Sequence, residues 1–180
     1  MKFKVTPQSI PDVLLIEPTV YADDRGYFKE SYNLKDFEEF LPGVKFVQDN
    51  ESKSSRGVLR GLHFQKPPHS QAKLIRVIQG SIWDVAVDIR SASPTFKQYC
   101  FAEITAENHF QFFVPRGFAH AFIVTSEIAI VQYKTDKFYH PQSDAGIHPH
   151  DPNLNIPWPL PTEEHILSEK DQSLPFLSSF

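Results

Sequence analysis

An all-β fold of the sandwich, jelly-roll or barrel type, with short flanking helices, is what this chain predicts, and three observations carry that prediction. From residue 57 to residue 134 the sequence is almost entirely short apolar or alternating runs broken by turn residues at roughly even spacing. Within that stretch, residues 73–78 and 81–90 flank Gln79-Gly80, a two-residue hairpin signal. Proline outnumbers glycine, 15 to 7, while 16 Phe and 6 Tyr supply bulky core material, a mixture that suits short strands joined by stiff loops.

The elements follow in order. Residues 10–18 read as a short strand ending at Pro18, Asp23-Asp24-Arg25-Gly26 as a turn, and 27–32 as an aromatic strand. Asn33 is placed as a helix N-cap, with Leu34, Phe37 and Leu41 on one helical face and Pro42-Gly43 as the stop. Residues 44–49 are expected as a strand and 51–56 as a polar loop. In the second arm of the hairpin, Trp83, Val85, Val87 and Ile89 point one way and Asp84, Ala86 and Asp88 the other. Strands over 96–104, 111–114, 120–124 and 128–135 complete the series. The tail from Pro141, rich in Pro, Asp and His, reads as an irregular loop with a short helix beginning near Ser168. The chain has no internal repeat or low-complexity tract.

Length and charge bound the function. One domain is expected for 180 residues, enough to bury about two-thirds of the unfolded surface. The single Cys100 cannot form an internal disulfide. The first residues carry no apolar signal core, and no run approaches the ~18 apolar residues of a membrane span. These features predict a cytoplasmic protein that neither enters a membrane nor is secreted. A net charge of −4 argues against non-specific nucleic-acid binding, while leaving room for an anionic ligand at a local cluster of Arg and Lys.

Pro115-Arg116-Gly117, three residues before His120 and following a hairpin, resembles the second conserved box of the cupin superfamily, whose fold is a double-stranded β-helix or jelly-roll barrel. The first cupin box usually contains His-x-His; here it reads His63-Phe64-Gln65. A barrel that keeps single histidines but loses the paired metal ligands is expected to use those histidines for proton transfer. The resemblance then narrows. Ile-Pro-Asp-Val-Leu-Leu-Ile-Glu-Pro at 10–18, Asp-Arg-Gly-Tyr-Phe at 24–28, Val-Gln-Asp-Asn at 47–50 and Val-Leu-Arg-Gly-Leu-His-Phe-Gln at 58–65 resemble the dTDP-4-dehydrorhamnose 3,5-epimerase family. So do Asp-Val-Ala-Val-Asp-Ile-Arg at 84–90, Val-Pro-Arg-Gly-Phe-Ala-His at 114–120 and Leu-Ser-Glu-Lys-Asp at 167–171. Their joint order and spacing make the match specific. It implies a homodimeric cupin that needs no metal or other cofactor and acts on a dTDP-4-keto-6-deoxy sugar.

The chemistry explains the residue types. A ketone at C4 acidifies the C–H bonds at C3 and C5. Inverting either carbon takes a base on one face, an acid on the other, and a cation for the enolate between them. By resemblance His63 is the base, and an imidazole's ordinary pKa suits it to that work. Asp171 is its partner carboxylate, Tyr133 the acid and Lys73 the cation at O4. The binding set implied by the same match is Arg25, Phe28, Glu30, Gln48, Asp49, Asn50, Arg60, His120, Asp144 and Lys170. Arg25, Arg60 and Lys170 are assigned to the nucleotide sugar, whose diphosphate calls for clustered cations, and Phe28 to stacking on thymine. Taken one at a time these residues have plainer readings: a structural His63, a core Tyr133, a solvated Lys73, and a capping box Ser168-x-x-Asp171. Single-carbon epimerisation or ketoisomerisation of a related nucleotide sugar stands as the alternative within the class. Outside it stand a metal-dependent cupin oxygenase using His63, His69 and His120, and a sugar-binding cupin without catalysis. His148-Pro149-His150, in a segment where the family carries a different pattern, and Ala121, where it commonly carries Gly, are the departures.

Overall fold

The computed structural model describes residues 2–177. Two antiparallel sheets face each other. The first has the spatial order β1 (Phe3–Pro7), β2 (Leu14–Pro18), β10 (Gln111–Val114), β7 (Lys73–Gln79), β12 (Ile128–Thr135), β5 (Gln48–Ser55). The second runs β13 (Asp144–Gly146), β6 (Leu59–Gln65), β11 (Phe118–Val124), β8 (Ser81–Asp88), β9 (Tyr99–Thr105). A small hairpin, β3 (Tyr21–Asp23) and β4 (Gly26–Phe28), stands apart from both. Neighbours in space that are distant in sequence, such as β10 beside β2 and β11 beside β6, make this the expected jelly roll.

Period-two alternation sorts the side chains into three apolar layers. Ile75, Val77, Phe112, Ala129 and Val131 of the first sheet meet Ile82, Ala86, Cys100, Ile104, Phe122 and Val124 of the second, and this is the barrel interior. Outside the first sheet, α1 (Leu34–Glu38) buries Phe37 against Phe3, Ile16, Leu74 and Phe113. Asn33 caps α1 as expected, accepting from the Lys35 N–H at 3.1 Å. Outside the second sheet, Leu62, Val85, Val87 and Ala121 are covered by Ile147, Leu154, Ile156 and Leu177. The tail is therefore not a free loop; its apolar residues seal one face of the barrel. Burying a Leu or Ile in such a layer contributes about 1.5–3 kcal/mol, which is why an irregular segment can hold its place.

Several boundaries differ from the sequence expectation. The polar residues 51–56 lie largely in β5, not in a loop, because their alternate side chains face the polar part of the barrel rather than a core. The strand expected over 44–49 begins only at Gln48, and the one over 27–32 stops at Phe28. Phe3–Pro7, unassigned from sequence, pairs with β2 along its whole length. The strand expected over 96–104 lies at Tyr99–Thr105, and the one over 120–124 starts two residues earlier. Ser168 caps α2 (Glu169–Gln172) through the Asp171 N–H at 3.1 Å, so the capping reading of that motif is correct.

Candidate active site

The barrel interior turns polar toward one end. Along β7 the inward side chains run Val77, Ile75, Lys73; along β12 they run Ala129, Val131, Tyr133, Thr135. Gln48 and Asn50 of β5 join them, and from the second sheet come His63 and Gln65 of β6. Together with Phe64, Gln71, Tyr139, Asp144 and Lys170 they line an open cavity of about 330 Å³. Polar residues belong at this end because ligand and water reach it; the same types deeper in would lie among Ile and Val side chains at a cost of kilocalories each.

Local backbone geometry delivers the key strand. His63 pairs opposite His120, and Arg60 opposite Phe122, so β6 carries one residue more than β11 between the two pairs. This bulge puts Arg60 and His63, three apart in sequence, on the same strand face. Gly61 makes it possible: its φ is +127°, and a Cβ there would come within 2.4 Å of the Ala121 Cβ and 2.6 Å of the His120 carbonyl oxygen.

Two His–Asp pairs result. His63 Nε2 lies 2.5 Å from Asp171 Oδ1. An ionised carboxylate only accepts, so Nε2 carries the hydrogen, which leaves Nδ1 as the lone-pair nitrogen whenever the ring is neutral. Burial alone would push the Asp171 carboxyl up. Hydrogen bonds from His63, the Ser168 hydroxyl and the Gly61 N–H, with the histidine's charge, outweigh burial and hold it below the usual range. Behind it, His120 Nε2 lies 2.5 Å from Asp84 Oδ1. Burial depresses the His120 pKa; Asp84 opposes this, and the nearby Lys73 and His63 add to it. Asp84 Oδ2 has no hydrogen-bond partner.

Lys73 sits between these pairs, its ammonium donating to the His63 carbonyl oxygen at 3.3 Å. Burial pulls its pKa down to about 8 against the charges of Asp84 and Asp144, with Lys170 adding to the fall. The Tyr133 hydroxyl is pushed up by burial, Arg60 opposing and Asp144 assisting, so it is a neutral donor near pH 7. His63 and Tyr133 come from opposite sheets. A planar carbon held between them meets a base on one face and an acid on the other.

Of the residues singled out from sequence, His63, Asp171, Tyr133, Lys73, Gln48, Asn50, Asp144 and Lys170 are brought together at or against this cavity. Arg60 is on the same strand face but is exposed and outside the cavity lining, with its Nε donating to Ser54 Oγ at 3.1 Å. His120 lies behind the cavity wall. Asp49 alternates to the other face of β5 and pairs with Lys134 at 2.8 Å, so its side chain does not enter the cavity. Arg25, Phe28 and Glu30 do not line it either: Arg25 folds onto Asp23, Phe28 is exposed on β4, and Glu30 pairs with Lys2. Sequence reasoning missed Asp84, although a carboxylate on the inward face of an apolar strand was a signal. It also missed Tyr139, whose ring is 55% exposed at the cavity mouth with its hydroxyl 3.2 Å from Asp144 Oδ2.

The suggested metal set does not assemble. His63 and His120 are each committed to a carboxylate, and His69 stacks on His140 with ring centroids 3.7 Å apart. Among the described residues no group of three or more His, Cys, Asp and Glu is placed to hold a metal ion. His148 and His150 lie in the tail, against Phe176 and His165 respectively, and do not line the cavity.

Comparison with known proteins gives a consistent picture. The family model described as dTDP-4-dehydrorhamnose 3,5-epimerase matches residues 7–179. A protein of that description from Escherichia coli (strain K12) is 51% identical over 166 residues, covering 92% of this chain and 89% of its own. The crystal structure of dTDP-4-dehydrorhamnose 3,5-epimerase from Elizabethkingia anophelis NUHP1 superposes with a TM-score of 0.94 at 51% identity, covering 99% of this chain and 98% of that one. A Legionella pneumophila dTDP-6-deoxy-D-glucose-3,5-epimerase, crystallised with dTDP-4-keto-L-rhamnose, superposes with a TM-score of 0.94 at 46% identity, covering 98% and 93%.

Proposed function

The chain belongs to the dTDP-4-dehydrorhamnose 3,5-epimerase family, and from that premise we propose which residues perform the reaction. The activity is inversion of C3 and C5 of dTDP-4-dehydro-6-deoxy-glucose to give dTDP-4-dehydro-L-rhamnose. His63 Nδ1 removes the proton beside the ketone, and Asp171 holds the tautomer and stabilises the imidazolium. The electron pair moves onto O4, where the Lys73 ammonium meets the developing charge. Tyr133 returns a proton from the opposite face, and the inverted carbon results. The observation that carries this reading is the placement of His63–Asp171 and Tyr133 on facing sheets around one cavity that also holds Lys73.

Binding divides along the cavity. Arg60, Lys170 and Lys73 supply positive charge for the diphosphate and the sugar oxygens, with Asp144 orienting Lys170. Gln48 and Asn50 offer amide groups, and the exposed Tyr139 ring offers a stacking surface for a nucleobase. His120, held by Asp84, is a fixed polar neighbour rather than a proton carrier. Arg25, Phe28 and Glu30 are read as contributions to the other subunit of a two-fold homodimer, because the β3–β4 hairpin leaves Tyr21, Tyr27 and Phe28 exposed. A monomer by light scattering at micromolar concentration contradicts that reading. Among the described residues no helix is long and apolar enough to cross a membrane. We read the chain as one cytoplasmic domain with no nucleic-acid partner and no cofactor; chelator-treated protein is expected to keep full activity, and loss restored by iron or zinc contradicts this.

The deciding experiment is proton NMR of dTDP-4-keto-6-deoxyglucose incubated with the protein in deuterated water. Deuterium at both C3 and C5, with the L-rhamno configuration in the product, is the expected outcome. Exchange at one carbon alone points to the single-carbon alternative.

A further inference from the structure

Gln65 occupies the place of the second histidine in a metal-binding cupin box, and the preceding assignments leave its function open. It is 5% exposed, and its amide is saturated by main-chain groups. Nε2 donates to the His69 carbonyl at 2.7 Å and to the Phe138 carbonyl at 3.4 Å, while Oε1 accepts from the His140 N–H at 2.7 Å. One side chain therefore ties two rim loops together, 66–72 and 136–143, and holds the residues on both sides of Tyr139. The Tyr139 N–H is itself fixed by Gln48 Oε1 at 3.1 Å. A carboxamide has a donor end and an acceptor end, which this arrangement needs; an imidazole committed to a metal would leave these loop groups unpaired.

We propose that Gln65 is a positioning residue that sets the Tyr139 ring at the cavity mouth and thereby governs affinity for the nucleotide half of the substrate. It touches no reacting atom and acts through Tyr139. The proposal rests on the reading of this cavity as the nucleotide-sugar site. Nucleotide anchoring is shared by ground and transition states, so its loss raises KM and spares kcat.

The test titrates dTDP, and separately measures turnover, for the wild type, Gln65→Leu, Gln65→Glu, Tyr139→Ala and the Gln65→Leu/Tyr139→Ala double variant. Gln65→Leu is expected to raise the dTDP Kd and the substrate KM by about tenfold, with kcat within about threefold, as loss of uniform binding requires. On the Tyr139→Ala background the same change is expected to add less than about twofold, since residues acting as one unit are not additive. Gln65→Glu keeps the acceptor for His140 N–H but, when ionised, faces two carbonyl oxygens. Its dTDP affinity is expected to recover toward wild type as pH falls and the carboxyl regains a donor. This pH dependence carries the test if circular dichroism shows that Gln65→Leu does not fold. A dTDP Kd within twofold of wild type in the folded Gln65 variants overturns the proposal, as does a fall in kcat at unchanged KM, or full additivity with Tyr139→Ala. Wild-type protein that fails to bind dTDP overturns the reading of the cavity, and the proposal with it; wild-type binding with indifferent variants overturns the proposal alone.

Discussion

The two His–Asp pairs of this barrel have the same chemistry and the same 2.5 Å contact, and their histidines sit opposite one another on paired strands. They differ in access. The His63 side chain is 31% exposed on the cavity wall, with its carboxylate 4% exposed behind it; His120 and Asp84 are 8% and 0% exposed, packed among interior side chains such as Phe122 and Ala86. A histidine that must gain and lose a proton in each turnover needs room for substrate at its free nitrogen and a partner that stabilises the charged form. His63 has both. His120 has the partner without the room, and burial holds its pKa down. The same pair is open to the cavity in one place and sealed in the interior in the other, and the proposed division into base and fixed polar strut rests on that difference.

Substitutions can break this contrast, and their effects rank in order. His63→Ala removes the proposed base and is expected to lower kcat about 10⁴-fold, at the upper end for a general base, with C–H exchange lost in parallel. Measuring exchange and product formation in one sample checks this; exchange surviving in His63→Ala puts the base elsewhere. Asp171→Ala leaves the imidazole in place without its orienting carboxylate, and a fall of about 10²-fold or more in kcat is expected, with only a small change in Tm. Arg60→Ala should cost about 1.5–3 kcal/mol in kcat/KM, mostly through KM, as a charge-assisted contact to the diphosphate is lost. An unchanged KM takes Arg60 off the substrate.

Two further outcomes concern Lys73 on the cavity wall and Asp84 behind it. Lys73 has a pKa of about 8, below its ordinary value, so its ammonium is present below that pH and lost above it. Free-enzyme kcat/KM should therefore fall as pH rises through about 8, and Lys73→Arg should move that limb upward. A limb that does not move assigns it to another group. Asp84→Ala shows the converse of Asp171→Ala. It strands a buried imidazole and is expected to cost about 1–3 kcal/mol of stability, read by thermal or denaturant unfolding, while kcat per folded molecule falls less than in Asp171→Ala. Equal losses of activity in the two variants would erase the distinction.

Most of the strands were legible from the sequence because alternation and turn residues encode them locally. β10 and β12 lie at their expected bounds, and the inward row Asp84, Ala86 is as read. β5 escaped because its inward residues, Gln48, Asn50, Ser52 and Ser54, face a polar region and carry no apolar periodicity. The tail escaped because its anchors, Ile147, Leu154, Ile156 and Leu177, follow no period at all; they are matched to a surface made by distant strands. His63, Lys73 and Tyr133 were found through family spacing, not through local pattern. Asp84 carried a signal, a carboxylate on the inward face of an apolar strand, but its partner His120 showed only once β8 and β11 were paired, and Tyr139 became visible only when the 136–143 loop was placed at the cavity mouth. The link between Gln65 and Tyr139 joins residues 74 apart and has no local signature.

The central claim is that base and acid stand on opposite faces of the substrate, and Tyr133→Phe tests it most directly. The variant keeps the ring that packs against the interior and removes only the hydroxyl. Incubated with dTDP-4-keto-6-deoxyglucose in deuterated water and followed by proton NMR, it is predicted to form little epimerised product while still taking up deuterium at the original face, because His63 forms the enolate and returns a solvent-derived proton to the same side. Epimerisation at near wild-type rate in Tyr133→Phe would contradict the account and reduce Tyr133 to a packing residue.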